Sequence, residues 1–154
     1  MTSKAYVLNT LRRAGLREAR EIREKAVAGA LDGTELIAQE HYIPDYPADG
    51  NRDFTAIPVG APYRYDGQVY KLWQQHDANG NPDWTPDRAA SLWDICHTTD
   101  PARAKPYQPP QGSLGLYQTG ECMVWTDGIV WRSKVDNNAY TPDTLPDDWE
   151  VVEV

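Results

Sequence analysis

The sequence has little of what usually builds a large hydrophobic core or a covalent framework. Its 154 residues include one Phe, two Met and two Cys, and no apolar run approaches the length of a membrane span. Two cysteines are too few for a disulfide framework. We therefore expect Cys96 and Cys122 to be free thiols, with a single bond between them as the alternative.

Basic residues are also scarce, and the motifs of common catalytic and metal sites are missing. The net charge of −8 argues against a nucleic acid or an anionic membrane as partner, because both require a basic face. No His-x-x-x-His, Cys-x-x-Cys, phosphate-binding loop or nucleophile elbow is present. The sequence predicts no metal, no cofactor, no enzymatic activity and no cluster of strongly shifted acids and bases.

What the sequence does contain is amphipathic aromatic side chains and turn residues. There are six Trp, nine Tyr, twelve Pro and eleven Gly. Trp and Tyr suit positions where one side of the ring is buried and the other end is wet. The Pro and Gly residues, most of them after residue 43, indicate many short turns. This composition favours very small modules over one large domain.

Residues 1–31 are predicted to form a helical oligomerisation segment. Apolar residues recur at three- and four-residue steps, which is typical of one face of a helix. The residues of this stripe that we expect at a helix–helix interface are Leu8, Leu11, Ala19, Ile22 and Ala26. The stripe is narrow, so the helix needs a partner, either a copy of itself or the rest of its own chain. Asp32-Gly33 is the predicted stop, and residues 32–56 are predicted to be a linker.

An internal repeat organises the remainder of the chain. Asp66-Gly67-Gln68-Val69-Tyr70-Lys71 is matched by Asp127-Gly128-Ile129-Val130-Trp131-Arg132. Downstream, Thr85-Pro86 precedes Trp93 at the same distance as Thr141-Pro142 precedes Trp149. The Asp-Gly pairs between apolar alternations indicate hairpins.

Each unit is therefore predicted as strand, turn, strand, long loop and short final strand. The units span residues 57–96 and 115–154, and a Pro-rich linker joins them at residues 97–114. Four aromatic residues at matching strand positions are expected in the cores: Tyr70, Trp93, Trp131 and Trp149. The predicted fold class is α+β, an N-terminal α-helix followed by two small tandem antiparallel β modules.

The repeated unit resembles the small chitin- and cellulose-binding modules of carbohydrate-binding module families five and twelve. The residues that carry the resemblance are Gly60, Tyr63, Tyr65, Gly67, Tyr70, Asn79-Gly80-Asn81-Pro82 and Trp93, with Gly120, Trp125, Gly128, Trp131, Asn137-Asn138 and Trp149 in the second copy. The order of helix, Ile43-Pro44 and two such modules also resembles small virion proteins of tailed bacteriophages and prophages. The resemblance implies a virion protein, made in the host cytoplasm without a secretory signal.

The resemblance implies two alternative functions. In the first, the modules bind a host-surface or chitin-like polysaccharide, with aromatic rings against the sugar face and amides at its hydroxyls. The residues expected to contact the glycan are Trp73, Trp84, Trp125, Tyr140, Asn79, Asn81, Asn137 and Asn138. In the second, the chain is a structural protein that contacts other virion proteins and binds no sugar. In the first function we expect a homotrimer, because weak repeated sites gain from multivalency.

Overall fold

A computed structural model describes residues 3–154 and has the predicted α+β class. The helices are α1 (Ser3–Val27) and α2 (Gly33–Ala38), with 3-10 turns at Glu40–Tyr42, Pro101–Arg103 and Pro146–Asp148. The strands are β1 (Pro62–Tyr65), β2 (Gln68–Leu72), β3 (Trp93–Ile95), β4 (Lys105–Pro106), β5 (Cys122–Val124), β6 (Val130–Ser133) and β7 (Trp149–Val152). They form one sheet in the order β1-β2-β3 and a second in the order β4-β5-β6-β7. No helix within residues 3–154 is long and apolar enough to cross a lipid bilayer.

Helix α1 ends earlier than predicted because Gly29 forms its cap. The Gly29 amide donates to the Ala26 carbonyl and the Ala30 amide to the Lys25 carbonyl, with Gly29 at φ 74°. These two hydrogen bonds form a Schellman motif, which favours glycine in the left-handed region. Asp32, predicted as a stop, instead begins α2, where its side chain and that of Glu35 form a capping box.

The last two turns of α1 pack on the chain's own body. Ile22 and Ala26 are each 4% exposed and share an apolar cluster with residues of α2 and the first sheet. The prediction that Ile22 and Ala26 form an interface between copies is therefore wrong, because their faces are already covered. Leu8 and Leu11 remain more than half exposed, and Ala19 is half-buried.

The two modules share one strand register. Tyr63 faces Tyr70 as Met123 faces Trp131, and Leu72 faces Trp93 as Ser133 faces Trp149. The extra residue of the second copy lies in its hairpin turn. The first turn has only Asp66 and Gly67 at φ 48° and 75°, whereas the second spans three residues between Trp125 and Ile129.

The repeat begins upstream of the predicted units. The Tyr46 amide donates to the Arg64 carbonyl, just as the Tyr107 amide donates to the Val124 carbonyl, so each module opens with a short parallel segment. The segments predicted as linkers, 32–56 and 97–114, therefore belong to the folded modules. The sequence does not indicate these segments, because each forms only one or two backbone hydrogen bonds with the sheet, too few to produce a periodic pattern of residues.

Aromatic rings fill both cores. In the first module, Phe54 and Tyr63 meet Trp93 edge-to-face at centroid distances of 5.2 and 5.6 Å. In the second, Tyr117 meets Trp149 at 5.4 Å. Tyr70, Trp93 and Trp149 are buried as predicted, but Trp131 is only partly buried at the edge of the second core. Cys96 and Cys122 are both buried and free.

The two modules pack directly against each other. The ring of His97 stacks on Tyr117 with centroids 3.7 Å apart, and the Cys122 amide donates to the Thr98 carbonyl at 2.8 Å. The Lys105 ammonium lies 2.5 Å from the Glu40 carboxylate. The segment between the two modules is therefore packed against both of them at this junction and does not act as a spacer.

We expect Gly33→Ala to destabilise the protein by about 1–3 kcal/mol, the range for forced overpacking. A Cβ at Gly33 would lie 2.3 Å from the carbonyl oxygen of His97, so α2 would have to move away from the junction. Gly15→Ala is the control, because a Cβ there meets nothing within 4 Å. That change should raise stability by about 0.5–1 kcal/mol through helix propensity. Urea denaturation measures both; equal effects would contradict this account.

Candidate functional site

An exposed indole borders a groove on the first module that is lined by both polar and apolar side chains. The groove has a volume of about 470 Å³ and is lined by Gln74, His76, Asp83, Trp84, Arg88, Ala89, Ser91 and Leu92. Trp84 is 41% exposed although its backbone is held at both ends. Its amide donates to the Asn81 carbonyl, and its carbonyl accepts from the Tyr46 hydroxyl. The ring is therefore presented to solvent from a fixed backbone.

The floor of the groove contains a histidine with one unsatisfied nitrogen. His76 Nδ1 lies 2.8 Å from the Gln74 carbonyl oxygen, which can only accept, so Nδ1 carries the proton. Nε2 is then an acceptor, and it has no partner within residues 3–154. The ring packs 5.2 Å from Phe54 and 6.4 Å from Trp84. His76 therefore links the aromatic core to the groove.

The wall of the groove carries both charges and neutral polar groups. Arg88 Nη1 lies 3.7 Å from Asp83 Oδ1, and both side chains are largely exposed. Gln74 and Ser91 add an amide and a hydroxyl. The groove depends on the loop between β2 and β3, which in this module has five residues more than its counterpart between β6 and β7. The extra residues lie before Thr85, and the wall differs between the modules by residue type: Asp83 and Arg88 stand where the second module has Ala139 and Thr144.

The other aromatic candidates lie outside this groove. Trp73 is 53% exposed, next to Gln74, and Tyr140 is 54% exposed on the second module. Trp125 is half-buried and meets Tyr107 edge-to-face at 5.0 Å, so most of its ring belongs to the second core. The structure therefore brings only Trp84 of the four into the groove.

The asparagine candidates serve mainly to shape turns. Asn79 donates its amide to Asp77, and Asn81 donates its side-chain amide to the Asn79 carbonyl. Asn137 adopts φ 52° and exchanges hydrogen bonds with the Gln118 side chain. Asn138 is 2% exposed and donates to the Ser133 hydroxyl, so its expected glycan contact is wrong: no ligand reaches it.

A second polar cavity, of about 210 Å³, lies at the junction of the modules. The titratable side chains in its lining are Lys71, Asp94, Cys96, His97 and Glu121. Burial raises the pKa of Asp94, with Lys71 opposing the shift, and burial also raises the pKa of Glu121. The thiol pKa of Cys96 is raised to about 12, mainly by burial.

The expectation of no cluster of strongly shifted acids and bases is wrong at this cavity, because Cys96 and His97, whose pKa values burial shifts strongly, both line it. The titratable groups of the cavity meet because β2 and β3 of the first module line the same cavity as the segment that precedes β5 in the second. No local spacing in the sequence signals this. Among residues 3–154, no group of three or more His, Cys, Asp or Glu is arranged to hold a metal ion.

Comparisons with known proteins do not identify a family for this chain. No protein-family model matches the sequence, and a search of curated proteins finds no significant match.

The buried imidazole of His97 should make stability pH-dependent. Burial lowers its pKa from 6.5 to about 4, against an opposing hydrogen bond to the Gly115 carbonyl. A lowered folded-state pKa gives stability that is present above pH 6.5 and lost as the pH falls through 4. That difference corresponds to about 3 kcal/mol at neutral pH. Burial of Asp94 and Glu121 acts in the opposite direction, because their raised pKa values favour the protonated folded state at low pH.

The His97 contribution is isolated by comparing variants in urea titrations between pH 7 and pH 4. We expect the wild type to lose more stability over this interval than His97→Gln. His41→Gln is the matched control, because His41 is exposed and should leave the decline unchanged. Parallel curves for wild type and His97→Gln would show that His97 does not take up a proton on unfolding.

Proposed function

We propose that this chain is a non-enzymatic glycan-binding protein of a phage or prophage particle, and that the groove beside Trp84 holds the sugar. The observation that carries the proposal is the combination of an exposed, backbone-fixed indole with polar side chains along one groove. A pyranose has a C–H face that packs on an aromatic ring and hydroxyls at its rim that need donors and acceptors. The groove offers both kinds of contact within the volume of a small oligosaccharide.

The polar groups of the groove suit a neutral or weakly charged sugar. Asp83 and Arg88 compensate each other's charge, and both can form hydrogen bonds to neighbouring hydroxyls. Gln74 and Ser91 extend this set without adding charge. The resemblance to small chitin- and cellulose-binding modules supports the same class of ligand, and the resemblance to phage virion proteins supports the setting, a polysaccharide of the host surface.

Trp84→Ala should weaken glycan binding about two- to tenfold, because packing on an aromatic ring contributes about 0.5–1.5 kcal/mol beyond its buried area. The measurement begins with an array of bacterial surface polysaccharides and chitin and cellulose oligosaccharides. Titration of the best binder, followed by intrinsic Trp fluorescence, then gives the affinity of each variant.

Tyr6→Ala is the matched control for this titration. Tyr6 is 65% exposed on α1, far along the chain from the groove, so its loss should not change the affinity. Trp73→Ala measures whether the neighbouring exposed indole shares the ligand. Binding that survives Trp84→Ala unchanged, or an array without any signal, would remove the support for this function.

The second candidate function is a structural role in the particle, and the exposed part of α1 favours it. Before Ile22 the helix has no buried residue in the described range, and Leu8, Leu11 and Leu16 are each 56–62% exposed. Exposed apolar stripes of this kind mark sites of protein association. We propose that residues 3–20 join copies of the chain in a homotrimer or contact other virion proteins, which is compatible with glycan binding by the modules.

The oligomer proposal predicts that Leu8→Glu/Leu11→Glu converts a trimer to a monomer. Charges placed in an apolar helix interface would be buried without partners, which strongly disfavours association. Light scattering coupled to size exclusion gives the mass directly. Tyr6→Glu should leave the trimer intact, since Tyr6 lies outside the stripe. A monomeric wild type would exclude the trimer and leave contact with another virion protein as the role of this helix.

A further inference from the structure

The junction cavity contains charged groups that the glycan groove does not use. Lys71 and Asp94 reach it from the first module, and Glu121 reaches it from the second. Ser113 and Gln118 add a hydroxyl and an amide to its lining. Cys96 forms part of its wall at 3% exposure, and its thiol has no hydrogen-bond partner in the described part of the chain.

Comparison of the two modules shows that one cross-strand ion pair of the second module is not formed at the equivalent position of the first, which lies at this cavity. Lys71 faces Asp94 across β2 and β3, and the equivalent residues of the second module are Arg132 and Glu150. Arg132 and Glu150 form an ion pair with a 3.4 Å separation. Within residues 3–154, no ion pair of 4 Å or less joins Lys71 to Asp94. Lys71 and Asp94 therefore act on each other only at longer range, with the Gly115 backbone also beside Asp94, and both charges face the cavity.

The balance of charge around the cavity is negative. Asp94 and Glu121 supply two carboxyls against the single ammonium of Lys71. Asp32 adds a further negative field, which contributes to the raised pKa of Glu121. His97 does not offset it, because burial keeps its imidazole neutral at pH 7. A ligand that fits this field brings a positive charge, and the remaining groups offer hydrogen bonds to hydroxyls.

We propose that the junction cavity binds a small molecule that carries a protonated amine and several hydroxyls, the chemical class of an amino sugar. The ammonium of the ligand lies between Asp94 and Glu121, and its hydroxyls meet Lys71 and Ser113. The ligand bridges the two modules, because its two carboxyl partners come from different modules. The site is separate from the Trp84 groove, so failure of the amino-sugar proposal would not contradict glycan binding in that groove, and the reverse also holds.

Burial is the largest cause of the raised pKa values of the two cavity carboxyls. The loss of water outweighs the field of Lys71 at Asp94 and the hydrogen bond that Glu121 accepts from the Gln118 amide. An ammonium between them restores the missing interaction, which a neutral ligand does not do. The site therefore distinguishes an amine from a hydroxyl at the same position of a sugar ring.

The test compares glucosamine with glucose, which differ at one substituent. Each sugar is titrated at pH 7 into the ¹⁵N-labelled full chain to tens of millimolar, and the backbone amide shifts are followed. We expect glucosamine to shift the amides around the cavity, those of His97, Gly115 and Glu121, with saturation. Glucose should give at least a tenfold weaker effect. Equal binding of the two sugars, or no saturable shift at these amides, overturns the proposal.

Charge variants assign the binding to the cavity. Asp94→Asn and Glu121→Gln should each weaken glucosamine binding by at least tenfold, and both remove a buried charge, so folding is preserved. Glu150→Gln is the matched control, because it removes the carboxylate at the equivalent position of the second module, away from the cavity. Undiminished binding in both cavity variants, or an equal loss in Glu150→Gln, places the amine elsewhere and overturns the proposal.

Discussion

Edge-to-face packing around a buried tryptophan is the interaction on which each module depends. Trp93 has the rings of Tyr46, Phe54, Tyr63 and His76 within 5.2–5.8 Å, all close to perpendicular. Aliphatic side chains are too few to fill a core of this size, and aromatic pairs contribute about 0.5–1.5 kcal/mol each beyond their buried area. The geometry of these rings therefore fixes where the loops of the module can run.

This dependence explains the length of the repeated unit. Phe54 and Tyr46 come from the segment before β1, and Tyr117 and Tyr107 take the corresponding places in the second module. Without these rings, Trp93 and Trp149 would be exposed on one side. The opening segments are therefore part of each module for a reason of packing, even though they form almost no regular ladder.

The sequence predicted the hairpins and closing strands because they leave local signals. Asp-Gly turns, strand alternation and the matched distances from Thr85 to Trp93 and from Thr141 to Trp149 can all be read along the chain. The role of Tyr46 and Tyr107 could not be read, because each lies among prolines and has no periodic neighbour. The end of α1 was misplaced for a related reason: Gly29 and Gly33 are equivalent as stop signals until their hydrogen bonds are known.

The candidate site was predictable only in part. Exposure of Trp84 follows from the surplus of tryptophans over core positions, but the pairing of its neighbours Asp83 and Arg88 depends on a local turn that leaves no pattern in the sequence. Asn138 illustrates the opposite error, since a polar side chain in a turn can be buried when a serine hydroxyl satisfies it. No pattern in the sequence indicated the junction cavity, because its carboxyls come from separate modules and meet only after the modules pack.

The length of helix α1 also sets the distance between its exposed end and the part of the helix that packs on the modules. Residues 3–20 extend beyond the packed end as an unbroken helix, and at 1.5 Å per residue they form a rod of about 27 Å. Ile22, Ala26 and Val27 anchor this rod, over its last two turns. A tilt of about 10° at that anchor displaces the far end by about 5 Å for a rod of this length. The small size of the anchor therefore determines how far apart anything held at the tip and anything held by the modules can move.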